Sequence, residues 1–122
     1  MKADIKERSF EFAVRVVNLC RELDRKPGAS RTLASQLLRS GTSIGANVEE
    51  ANGSQSKADF VAKMYIACKE SRETHYWLRL LAASNLMSSE HLSSITDESN
   101  QLVAILTSIV KNSRKRGENS EE

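Results

Sequence analysis

The chain has little of what usually punctuates or staples a small protein. Its 122 residues include one proline, five glycines, two cysteines and two histidines, and aromatics make up only 5%. Cys20 and Cys68 stand far apart with no Cys-x-x-Cys spacing. That excludes a disulfide framework and a cysteine-rich zinc site, and it fits a reducing compartment. No window approaches the roughly 18 apolar residues of a membrane span. The stretch from Met1 to Arg8 mixes charges and lacks the apolar core of a signal peptide. No glycine-rich phosphate loop is present. The net charge is +2 and 39% of residues are hydrophobic, a balance that excludes disorder of the whole chain. The length suits one domain. The expectation is a single cytoplasmic domain with no membrane contact, no cofactor, no metal and no small-molecule substrate.

What is there is helical period. Breaks at Pro27-Gly28, Asn52-Gly53-Ser54 and Ser84 to Ser89 leave four segments. Helices are expected over about 4–25, 30–51, 57–84 and 89–113, with 114–122 as a polar tail that frays into solvent. Ser30 is the expected N-cap of the second segment. Ser56 with Asp59 has the capping-box spacing of the third. Within the third segment Phe60, Met64, Ala67, Ser71, Thr74, Leu78 and Leu81 alternate steps of 4 and 3, as do Leu92, Ile95, Ser99, Leu102, Leu106 and Ile109 in the fourth. A sustained rhythm of this kind is the seam of nearly parallel packed helices. Short connections make neighbours antiparallel. The fold class is therefore all-α, an antiparallel up-down four-helix bundle.

The first three segments carry more apolar or uncharged surface than one bundle core covers. In the first, Ile5, Phe12, Val16, Leu19 and Leu23 form one stripe, and Phe10, Ala13, Val17 and Cys20 form a second beside it. The second has only four charges between Ser30 and Ala51. Its polar line runs Gln36, Ser40, Ser43, Asn47, Glu50, and another face holds Ala34, Leu38, Gly41 and Gly45. Two glycines one turn apart mean close approach of another backbone, in a tightly packed intrachain pair or at a subunit interface. The third segment places Glu70 and Glu73 on a second apolar face with Ala62, Ile66, Trp77 and Leu80. Carboxylates there need donors, from Arg39, Asn47 or a neighbouring subunit.

Candidate catalytic patterns do not survive inspection. Gly41-Thr42-Ser43-Ile44-Gly45 matches a nucleophile elbow, with Asp59 and His75 following in order, but the pattern lies inside a helical period with no strand before it. A two-metal bundle site needs Glu-x-x-His pairs, and His75 and His91 follow Arg72 and Ser88 instead. One surface signal remains. Tyr65, Lys69, Arg72, Tyr76 and Arg79 step by 4 and 3 along one face, and Lys111, Arg114, Lys115 and Arg116 cluster near the end. Cations interleaved with aromatics neutralise phosphates and stack bases. The alternative is a solvated face whose tyrosines lie flat on the bundle.

Two runs resemble a known family: Gln36 through Ala51, and Asp59-Phe60 with Tyr65 through Leu81. They are similar to the bacterial four-helix bundle proteins encoded in intervening sequences of 23S ribosomal RNA genes. The accessory variability protein of diversity-generating retroelements is a relative of that family. The resemblance spans roughly Phe10 to Leu86. It implies a cytosolic bundle assembling as a ring-shaped homopentamer with no known catalytic activity, and, by analogy with the retroelement relative, binding of RNA or DNA. Arg39, Ser40, Ser43, Asn47, Glu50, Glu70 and Glu73 fall on its motif positions, where their role looks structural or interfacial. The expected function is a non-enzymatic homo-oligomeric adaptor with RNA or DNA affinity. The alternative is a protein-interaction scaffold with no nucleic-acid role.

Overall fold

A computed structural model describes the backbone of residues 2–121 and the side chains of residues 5–115. Four helices follow one another: α1 (Lys2–Leu23), α2 (Ala29–Asn52), α3 (Lys57–Ala83) and α4 (Ser89–Glu121). The described residues contain no strand. The boundaries lie close to the expected ones except at the end. There α4 continues through Glu121, past the expected stop at 113. No proline interrupts that stretch, and its single glycine costs a helix only about 1 kcal/mol.

The starts have local causes. Ser56 accepts the Asp59 N–H at 3.0 Å and opens α3, as its spacing predicts. Ser88 accepts the His91 N–H at 3.1 Å and opens α4. The expected cap at Ser30 is not one. The chain turns at Gly28, whose φ of 94° suits glycine, and the helix has already begun when Ser30 is reached. Ser30 is instead buried inside α2.

The core runs the length of the four helices. Phe12, Val16 and Leu23 meet Leu37, Ile44 and Val48, then Leu78 and Leu81, then Leu92, Leu102 and Leu106, all fully buried. The 4-and-3 seams of α3 and α4 are this core, with Phe60 and Ile109 half-buried at one end. Helix α2 packs between α1 and α3, α3 packs on α4, and α4 also touches α1. Cys20 bonds Ala34 while Lys6 pairs with Glu49. Ser40 meets Thr74 while Glu50 pairs with Lys63. His75 meets Ser99 while Cys68 meets Thr107. Arg8 pairs with Glu98 while His91 meets Glu22. In each pair of helices, residue numbers ascend on one and descend on the other.

The glycines of α2 serve this packing. A β-carbon on Gly41 would lie 2.8 Å from a Val16 methyl, and one on Gly45 would lie 3.2 Å from the Ser9 carbonyl oxygen. That face of α2 is therefore the seat of α1, and the intrachain alternative holds for both glycines. The second stripe of α1 is different. Cys20 is buried and Ala13 half-buried, but Phe10 and Val17 are exposed, Phe10 at 65%, and Val14 of α1 and Leu38 of α2 are exposed as well.

Candidate nucleic-acid interface

Helix α3 sorts its charges by side. Glu70 and Glu73 turn toward α2, where Arg39 binds both: one guanidinium nitrogen lies 3.4 Å from each Glu70 oxygen, and the other bonds Glu73. Trp77 donates its indole N–H to the same Glu73 at 2.9 Å. The Glu70 side chain keeps only 16% of its exposure, so the arginine supplies the compensation that a half-buried carboxylate requires. The donor anticipated for these acids comes from the same chain.

The rest of the motif is quieter. Ser40 lies fully buried with its hydroxyl 2.9 Å from that of Thr74, which donates to the Glu70 carbonyl at 2.8 Å. Ser43 donates to the Arg39 carbonyl, and half-buried Asn47 donates to the Ser43 carbonyl at 2.9 Å. Asn47 thus serves its own helix. Glu50 is exposed and pairs with Lys63 at 3.2 Å. The polar line is not one buried network.

The neighbouring face of α3, about a quarter-turn from Glu73 and further from Glu70, presents Tyr65, Lys69, Arg72, Tyr76 and Arg79, all exposed. Their steps keep them within about a quarter of the helix circumference. The stripe is about 21 Å long at ~1.5 Å per residue. Among the described residues no carboxylate pairs with Lys69, Arg72 or Arg79. Arg72 donates to the Thr107 hydroxyl of α4 at 3.5 Å.

Helix α4 extends this surface. The Arg114 guanidinium lies 5.1 Å from the centre of the Tyr65 ring, a cation–π contact. Lys111 is exposed and falls between Thr107 and Arg114 at helical-neighbour spacing. Between Glu98 and Glu118 the sequence has no carboxylate. Lys115 is exposed, and the side chain of Arg116 lies outside the described residues. The two basic groups expected separately, on α3 and at the chain end, therefore meet through Arg114 and Tyr65. Sequence period alone missed that joint, because it depends on the register of α3 against α4.

At the far end of the stripe, His75 and Arg79 line a cleft with Thr96, Asp97 and Asn100. His75 Nδ1 lies 2.8 Å from the Ser99 hydroxyl, which donates to the Thr96 carbonyl. Burial and then the Arg79 charge hold the His75 pKa below its usual 6.5. No cluster of three or more metal-ligating side chains occurs among the described residues, and none of their helices is long and apolar enough to cross a membrane. Ser43 lies within α2, its hydroxyl bonded to the Arg39 carbonyl, so the elbow-like pattern has no elbow geometry.

No curated protein matches the chain. A crystal structure of a protein with unknown function from the S23 ribosomal protein family of Bacteroides thetaiotaomicron is similar. It shares 45% identity and a TM-score of 0.81, covering 88% of this chain and 98% of that one. Neither its description nor that of the matching family names an enzyme. The family model of the 23S rRNA-intervening sequence protein matches residues 1–108, and on that match the chain belongs to this family.

Proposed function

We propose that the protein is a non-enzymatic, cytoplasmic nucleic-acid-binding adaptor, built as an antiparallel up-down bundle and assembled as a homo-oligomeric ring, with five subunits the favoured number. The observation that carries the binding reading is the sorting of charge on α3. Arg39 holds Glu70 and Glu73 against α2, and no described carboxylate pairs with Lys69, Arg72 or Arg79, which lie with two exposed tyrosines on the neighbouring face. Lys111 and Arg114 add to that surface. Such a strip neutralises phosphates and offers π-faces to unpaired bases. The opposed order of the interhelical contacts supports the up-down topology. The exposed Phe10, Val14, Val17 and Leu38 support self-association, because soluble monomers rarely leave such residues together in water.

The test is fluorescence anisotropy with labelled single-stranded RNA across a salt series. Five cations on the strip correspond to a slope of log K against log salt near −3.5, at about −0.7 per phosphate neutralised. Changing Lys69, Arg72 and Arg79 together to Gln should lower that slope by about 2 with the oligomer intact. The competing reading is a protein-interaction scaffold, for which the exposed apolar residues of α1 and α2 speak. It is the reading that stands if the intact protein binds no RNA or DNA at low salt.

A further inference from the structure

At one end of the bundle all four helices line a cavity of about 400 Å³, within the roughly 300–1,000 Å³ of small-molecule pockets. Its floor is apolar, with Phe60, Met64 and Ile109 among its lining residues. Its polar lining includes Lys57, Asn112 and Ser113, and among the described residues no carboxylate takes part. These three side chains take no hydrogen bond or ion pair with any described residue. Lys57 is also a cation at the first position of α3, the end where the helix dipole disfavours positive charge. An anion beside it would satisfy the ammonium and the dipole together.

We propose that this cavity is a binding site for a single-chain amphiphile with a carboxylate head, its alkyl chain on Phe60, Met64 and Ile109 and its carboxylate at Lys57 and Asn112. The volume lies at the small end of the pocket range and suits one chain, not the two of a membrane phospholipid. Unlike the basic strip, this site sets one cation at an apolar hollow, so binding energy comes from the chain and selectivity from the head.

Calorimetric titration with hexanoate, octanoate and decanoate tests it. Saturable binding of one decanoate per subunit is expected, with affinity rising about fourfold per added methylene, the gain for burying one such group. Decyltrimethylammonium should bind at least tenfold more weakly. Lys57→Glu, a surface change, should cut decanoate affinity at least tenfold, and Ile109→Trp should abolish binding by filling the floor. Absence of saturable decanoate binding to the wild-type protein would overturn the proposal. So would equal affinity for the two head groups, or binding to phosphatidylglycerol vesicles without binding to free decanoate.

Discussion

Gly41 of α2 lies against Val16 of α1 so closely that a β-carbon on the glycine would sit 2.8 and 2.9 Å from the two valine methyls. The valine cannot swing aside, because its β-branch leaves both methyls and its own β-carbon at 3.2 Å in the way. Gly41→Ala should therefore destabilise the fold. Overpacking costs about 1–3 kcal/mol, and alanine's helix propensity returns roughly 1. Adding Val16→Ala should make Gly41→Ala neutral or favourable in that background. Urea denaturation of the four proteins of the cycle measures this coupling, and additive effects would show that the two residues do not meet.

Arg39 holds Glu70 and Glu73 in a geometry that a point charge does not reproduce. Arg39→Ala should lower stability by about 1 kcal/mol, since the arginine is itself half exposed and solvent screens part of the interaction. Arg39→Lys should restore less than half of the loss. The same change frees two carboxylates on α3, so RNA affinity at low salt should fall as well. Thermal melts and anisotropy read the two effects separately.

His75 gives the fold a dependence on pH. Its pKa is lowered in the folded chain, by burial first and by Arg79 second. The unfolded chain takes up this proton first as pH falls. The contribution of His75 is therefore complete above about 6.5 and is lost as pH drops from there toward the folded value. His75→Gln should flatten the fall in melting temperature between pH 7 and pH 5. An unchanged slope would assign the acid sensitivity to other groups.

Much of this architecture is legible in the sequence, for identifiable reasons. The steps of 4 and 3 along α3 and α4 mark their buried seams because a helix repeats its faces at that spacing. Ser56 and Asp59 mark a start because the cap is a local contact. Arg39 is among the donors expected for Glu70 and Glu73 because desolvated carboxylates demand one. What period cannot supply is the identity of the neighbour. Gly41 and Gly45 announce a close approach without saying that α1 makes it. Asn47 belongs to a polar line by spacing, yet its amide bonds its own helix at Ser43. Asn47→Leu should accordingly shift the melting temperature little, and a loss above 5 °C would show that the amide serves more than its own helix. The contact between Tyr65 and Arg114 joins residues far apart in sequence, so only the register of α3 against α4 reveals it.

The outer face of α1 carries the proposed assembly. Phe10, Val14 and Val17 step by 4 and 3, Leu38 joins them from α2, and all four are at least 40% exposed. Burying a phenylalanine against a second copy contributes about 1.5–3 kcal/mol, and a closed ring repeats that gain at every interface. Phe10→Asp and Val14→Asp replace apolar area that the subunit's own core does not use. The folded subunit should keep its helicity and melting cooperativity while the ring falls apart. Light scattering at micromolar concentration should give the wild-type protein about five times the 13.6 kDa subunit mass, and the double variant the subunit mass. A wild-type protein that runs as a monomer would remove the ring. A ring that survives both aspartates would move its interface to another face, and if that is the exposed basic and aromatic face of α3, Lys69, Arg72 and Arg79 would serve subunits instead of phosphates.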